Sequence, residues 1–423
     1  MTRDSVLGWI LFLLVGISLF LSYNIWIKVP AGNLVDSRLF SGKSVDLASV
    51  VSPEKIIIHP GNTYHTLLQQ SSSLYERTWS FSRKALASLW SEGSLSSAQV
   101  NHEFFAIKKG IEVVFPVPLP SSFLKQFLDI DSSRDILENI AISSFYLVED
   151  EGVNAYLRDD RGTFYKINKS QDSSELLELL KDVANARLPR YANLPQKSVN
   201  LRISGGVYIS LSSYRLPIYF VKQEQVISDR TAAKFFPDFS ITRKIEEKDG
   251  AVIYTDGQRG LRVYPNGALE YNAPGKSDSK TATSFYDALK TAVDFVNACG
   301  GWPENAYLSS YEISDEAGSK VYRFSFGIRV FGCPLVSEKD YISFTVDGSQ
   351  VRNFYKEVVS VDRPGGVVSL MSPIDALDLA VSQYKVNTLE DIYPAYITSE
   401  DRLLPVWVVK TPEKRIIISN PSE

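Results

Sequence analysis

A run of apolar residues near the N-terminus limits what this chain can become more than any other feature. From Val6 to Tyr23 the side chains are almost all apolar, and no charge falls between Ser5 and Ile27. At about 1.5 Å per residue, a helix of that length crosses a hydrocarbon core of about 30 Å. Trp9 lies near one end and Tyr23 and Trp26 near the other, where aromatic rings favour the two interfaces. A cleaved signal peptide needs a shorter apolar region and a small-x-small site. Here the run leads into Tyr23-Asn-Ile-Trp-Ile-Lys28, a poor cleavage context. The expectation is an uncleaved transmembrane helix over 5–27, preceded by a short tail at 1–4.

Gly8, Gly16, Ser18 and Ser22 punctuate this helix with small side chains. Ser18 and Ser22 are one turn apart and share a face with Tyr23 and roughly with Gly8. Faces of this kind let helices approach closely in lipid, where packing and polar contacts replace the hydrophobic drive. The four residues are therefore the candidate helix–helix contact, with a second copy or with another membrane protein. The competing reading is that Gly and Ser are simply common in membrane helices. Flanking charge does not settle orientation. Lys28, Arg38 and Lys43 follow the helix while Arg3 is offset by Asp4, which by count would put the long part in the cytoplasm. Long domains, however, translocate largely regardless of charge.

The rest of the chain has the means to build substantial cores. Of 423 residues, 44% are hydrophobic and 12% aromatic, with 22 Tyr and 22 Phe. That balance suits β-rich domains with aromatic cross-strand pairs. A net charge of −4 gives no basic character that would suggest nucleic acid.

Patterning predicts an α+β plan. Residues 28–52 read as a juxtamembrane spacer. An N-terminal α+β domain is expected over 53–195. It has strands at Pro53–Pro60 and Ile111–Pro120 and helices at Tyr64–Leu74, Thr78–Leu89 and Ser121–Leu128, with Ser121 or Ser122 as cap. A three-strand meander follows at 140–167, then an amphipathic helix at Ser173–Ala186. A central β-rich domain is expected over 196–280, with hairpin turns at Asp256-Gly257 and Asn266-Gly267. The C-terminal domain, 281–423, carries a helix followed by an antiparallel meander, twice. The helices start at Ser284 and at Ser372-Pro373.

Little in the chain points to catalysis. His59, His65 and His102 lack a compact ligand spacing such as His-Glu-x-x-His, so no metal or other cofactor is expected. No Gly-x-Ser-x-Gly elbow is present. Gly300-Gly301 and Gly365-Gly366 lack the lysine of a phosphate loop and read as turns. Asp159-Asp160-Arg-Gly162 lacks the downstream glutamate of a calcium loop. Cys299 and Cys333 either bridge, closing a loop of about 34 residues worth about 3 kcal/mol, or remain free or buried thiols. Trp302, Tyr307 and Trp407 either line a peptide-binding groove or belong to the core.

An ordered set of segments resembles the YycH family. It begins with Arg3 and the apolar helix ending in Asn24-Ile-Trp26. It continues through Pro53-Glu-Lys-Ile-Ile-Ile-His59, Ile111-Glu-Val-Val-Phe-Pro116, Phe235-Phe-Pro-Asp238 and Val252-Ile-Tyr-Thr-Asp-Gly257. Cys299-Gly-Gly-Trp-Pro303, Tyr322-Arg-Phe-Ser-Phe326 and Gly332-Cys-Pro-Leu335 are similar to YycH and also to the sister family YycI. The resemblance implies one N-terminal helix with a cytoplasmic N-terminus and three extracytoplasmic domains at a Gram-positive cell membrane. It also implies a non-enzymatic role. Such a protein adjusts the essential cell-wall sensor kinase YycG (WalK) in a complex with a YycI-like partner, through transmembrane contacts. The alternative is an extracytoplasmic peptide- or ligand-binding protein whose helix is a passive tether.

Overall fold

The computed structural model describes residues 44–420, except 62–63, 131–139, 196, 199–200, 223–228, 275–282, 304, 317–318 and 358–359. The expected tail, the helix at 5–27, the spacer up to residue 43, and Gly8, Gly16, Ser18 and Ser22 lie outside the described residues. Among the described residues no helix is long and apolar enough to cross a membrane.

Strands built from alternating Ile, Val, Phe and Tyr fall into three sheets among the described residues. The first has nine strands, all paired antiparallel, with Lys109–Pro120 near its middle between Lys55–Pro60 and Ala141–Glu149. The period of two gives its faces different chemistry. Ile56, Val113, Phe145 and Leu157 form a row on one face. That face is covered by the helices Tyr75–Glu92 and Ser174–Asn185, whose Trp79, Leu86, Leu176 and Leu180 join the main core. On the other face Leu67, Ile57, Glu112, Tyr146, Tyr156 and Lys166 form a row. The short helix His102–Ala106 covers part of it, and Tyr208, on the edge strand Tyr208–Ser210 of the same sheet, packs with Ile57 there.

The largest sheet has fourteen strands and holds both helix-plus-meander units. The helix Phe285–Cys299 starts at Ser284, whose hydroxyl accepts from Asp287 N–H at 3.1 Å. Pro373–Tyr384 starts at Ser372, which accepts from Asp375 N–H at 3.1 Å. Both starts follow the expected capping chemistry, worth about 1 kcal/mol each. The meanders join through one parallel pair, Cys333–Val336 with Asp391–Ser399. The hairpin turns close on Gly257 and Gly267 at φ of 87° and 85°, a region that favours glycine.

Three expectations need correction. The expected helix over Tyr64–Leu74 is instead a strand, Tyr64–Leu68, and the helix that follows begins at Tyr75. Apolar residues at 64, 67 and 68 mimic helical spacing, but pairing with Lys55–Pro60 and Tyr191–Asn193 outweighs that weak local preference. The helix Ser121–Phe127 begins behind Pro120 with no side-chain cap, and Ser121 N–H instead donates to Ile140 C=O at 2.7 Å. Finally, segment 196–280 does not keep to one sheet. Leu201–Ile203 pairs with Thr388–Leu389, Tyr208–Ser210 joins the first sheet, and Arg215–Lys222 and the strands after it join the largest.

Candidate functional site

The first described stretch, residues 44–55, which we call the entry segment, is bonded to the C-terminal half. Val45 N–H donates to Asn297 Oδ1 at 3.0 Å, and Asn297 Nδ2 donates back to Val45 C=O at 3.0 Å. A side-chain amide has one acceptor and two donors, so it can clamp a backbone unit in this reciprocal way. Asp46 caps the turn Leu47–Val50 by accepting from Ser49 N–H. Arg329, only 2% exposed, donates to Ser52 Oγ at 2.9 Å and to Pro53 C=O at 3.1 Å. Its guanidinium lies 3.9 Å from the centroid of the Tyr307 ring. Lys55 then pairs with Asp391. Burial pushes the neighbouring Glu54 carboxyl up, against the opposing pull of Lys55.

A second polar cluster lies on the aromatic face of the nine-stranded sheet, and it gathers His59, His65 and His102. His59 and His65 face each other one register step beyond the Ile58–Thr66 pair, with Nδ1 atoms 3.0 Å apart. Glu112, 3% exposed, lies beside them with Oε2 at 3.5 Å from His59 Nε2. Tyr146 donates to Glu112 Oε1 at 2.8 Å and also meets His102 Nδ1 at 3.2 Å. Tyr208 donates to Glu112 Oε2 at 3.4 Å.

The electrostatics follow from burial and those partners. Burial depresses His65 and His102 to about 4, so both imidazoles are neutral near pH 7. Burial alone would raise Glu112. The close approach of His59, the neighbouring imidazole charges and the hydrogen bond from the Tyr146 hydroxyl outweigh it and hold the carboxyl at about 2. Burial and the nearby carboxylate push the Tyr146 and Tyr208 phenols well above their usual value. The arrangement is an ionised carboxylate held by donors beneath aromatic rings. Among the described residues no group of His, Cys, Asp and Glu is placed to hold a metal.

The sequence spacing hid this cluster because the three histidines come from two strands and a short helix. The available signal was the pair His59 and His65 flanking a turn at Gly61, which a hairpin reading would have set side by side. The other candidates fall elsewhere. Cys299 and Cys333 are buried free thiols. Trp302 and Trp407 are 1% and 2% exposed and donate to Val293 C=O and Met371 C=O. They are core rather than an open groove. Asp159 accepts from Arg161 and Thr163 N–H, as a hairpin loop requires.

Comparison with known proteins agrees with this architecture. Residues 5–186 match the family model described as the YycH protein N-terminal domain. The crystal structure of YycH from Bacillus subtilis superposes with a TM-score of 0.64 at 15% identity, covering 89% of this chain and 98% of that one. An uncharacterized protein from Eubacterium rectale aligns with a TM-score of 0.35 at 13% identity, over 54% of this chain and 88% of that one. That similarity is too low to carry an argument. No curated protein matches the chain.

Proposed function

We propose, from the match of residues 5–186 to the YycH N-terminal domain and from the YycH-like fold, that the chain is a YycH-family protein: a non-enzymatic, membrane-anchored regulator of a YycG/WalK-type sensor histidine kinase. It acts beside a YycI-like partner, with its N-terminus cytoplasmic and its bulk outside the cell. The regulatory contact lies on the helix at 5–27, through the face that carries Gly8, Gly16, Ser18 and Ser22. The same face offers a route to a homodimer.

One observation carries this reading beyond the family. The entry segment is held by Asn297 and Arg329, which belong to the C-terminal half. A chain that only tethered a binding domain would need no such fixation. A body that biases a membrane helix benefits from it, because residues 45–53 then move as one unit with the C-terminal half.

The test replaces residues 5–27 with an unrelated apolar helix of the same topology. Kinase-dependent transcription and crosslinking to the kinase and to the YycI-like protein are then measured. Loss of both supports helix-mediated regulation. Retention of both would move the function to the extracytoplasmic domains and favour the tether reading.

A further inference from the structure

The strand Arg243–Glu246 ends the largest sheet. It pairs with Val252–Thr255 on one side, and among the described residues no strand pairs with its other side. All four of its side chains are exposed, Ile245 by 48%. An open strand edge is a template for another strand, and proteins commonly blunt it with proline, a bulge or charge. This strand carries no proline and pairs without a bulge. Its charge is not of one sign either, since the stretch reads Arg243-Lys-Ile-Glu-Glu247. Laid against its own reverse, that stretch sets each charge opposite its complement.

The backbone decides which positions can meet across the edge. Glu247 N–H donates to Ala251 C=O at 2.8 Å, inside the hairpin. Alternate residues of an antiparallel ladder bond to the same side. Arg243, Ile245 and Glu247 therefore bond toward Val252–Thr255, while Lys244 and Glu246 direct their N–H and C=O outward. Thr242 N–H is already used, donating to Phe239 C=O at 3.1 Å. An antiparallel partner must then match even-numbered positions with even-numbered ones. For two copies related by a two-fold axis, the axis passes through a residue. Centring it on Arg243, Lys244, Glu246 or Glu247 opposes a charge to itself. Centring it on Ile245 sets Lys244 against Glu246, Arg243 against Glu247, and Ile245 against its own copy.

Opposite charges directly across a pair of strands stabilise it and like charges destabilise it. Arg243 and Glu246 have no ion pair among the described residues. Lys244 reaches Asp229 at 3.2 Å and Glu247 reaches Arg262 at 2.8 Å, both near the surface, where such pairs are weak. Each interchain pair thus brings an unpaired charge to a weakly held one. Ile253 sits beside Ile245 on its own chain, so the two copies complete an apolar row across four strands. We propose that a second copy of this chain docks on this edge and extends the largest sheet through a two-fold axis at Ile245. Lys244 N–H donates to C=O of the partner's Glu246 and Lys244 C=O accepts from its N–H, with the same two bonds repeated by symmetry. This contact is separate from any contact made by the helix at 5–27.

The test places the full chain in lipid vesicles and oxidises Ile245→Cys mildly. In a non-hydrogen-bonded antiparallel pair the Cα atoms lie about 4.5 Å apart, within disulfide reach. Cys299 and Cys333 are buried and do not compete. Ile245→Cys should give a covalent dimer. Lys244→Cys should give little, because its copies lie on a diagonal about 7–8 Å apart. In the Ile245→Cys background, Lys244→Glu and Glu246→Lys each create two like-charge pairs and should weaken association about tenfold. Mixing the two charge variants, or combining both changes in one chain, should restore it, which a loss of local structure would not allow. Absence of the Ile245→Cys dimer, dominant cross-linking through Lys244→Cys, or cross-linking indifferent to the charge changes overturns the proposal. Failure of the mixture to restore association overturns it as well.

Discussion

Arg329 Nη1 donates to Ser52 Oγ at 2.9 Å across 277 residues of sequence, and both residues are buried. That bond places a guanidinium of the largest sheet beneath the entry segment, where Tyr307 stacks on it. The ring can lie there because residue 327 is glycine: a Cβ would meet the Tyr307 ring at 2.8 Å.

Removing this guanidinium is expected to be costly. Arg329→Met removes two charge-assisted hydrogen bonds in a buried place, although Ser52 Oγ keeps Gln70 and Pro53 C=O keeps Tyr75 as donors, and should lower stability by about 3 kcal/mol. Arg323 makes a suitable control. It pairs with Glu312 and Glu316, but its side chain is 44% exposed, so Arg323→Met should change stability by less than about 0.5 kcal/mol. Urea unfolding of the two variants checks the contrast, and equal effects would contradict it.

Lys55 and Asp391, 336 residues apart, should behave as one unit. Their side chains are 13% and 11% exposed, so removing either partner strands a largely desolvated charge. Lys55→Met should be the worse single change, because it removes the partner of Asp391 and the strongest positive neighbour of Glu54. Asp391→Leu leaves Lys55 with Glu54. The double variant should cost at least about 1 kcal/mol less than the sum of the singles. Strict additivity in a double-mutant cycle would rule out this coupling.

Acid should destabilise the protein in a window set by the histidine cluster. His65 and His102 titrate near 4 when folded and near 6.5 when unfolded, so the unfolded state takes up protons first as pH falls. Their contribution is complete above pH 6.5 and is lost on the way down to about 4. Each shift represents about 3 kcal/mol at full development. Glu112, held at about 2, adds a further loss below the ordinary carboxylate range and acts in the same direction. The groups around His102 are Tyr146, Phe164, Arg158 and Glu112. His102→Gln should flatten the decline between pH 6.5 and 4, read from denaturation midpoints across that range.

The two thiols should be unreactive until the chain unfolds. Burial pushes Cys299 and Cys333 up to about 12, and the thiolate is the reactive form. An aromatic disulfide reagent should titrate neither thiol in the native protein and both in denaturant. Fast native labelling at either position would contradict this burial.

Much of the fold was legible in the chain because the information is local. Ser284 and Ser372-Pro373 announce helix starts through hydrogen bonds that span three residues. Asp256-Gly257 and Asn266-Gly267 announce hairpins through a backbone angle that one residue supplies. The spacing of Tyr64–Leu68 fits both periods, and only its partners on either side decide.

The sequence alone also determined the apolar run at 5–27 and the α+β plan of the remainder. These depend on hydrophobic period and composition, which need no partner to be recognised. Tertiary structure alone decided that Arg329 reaches Ser52, that Lys55 reaches Asp391, and that His59, His65 and His102 surround Glu112. Such contacts form between residues far apart in the chain, and the energy that selects them comes from burial and desolvation. Both exist only once the sheets and helices have packed.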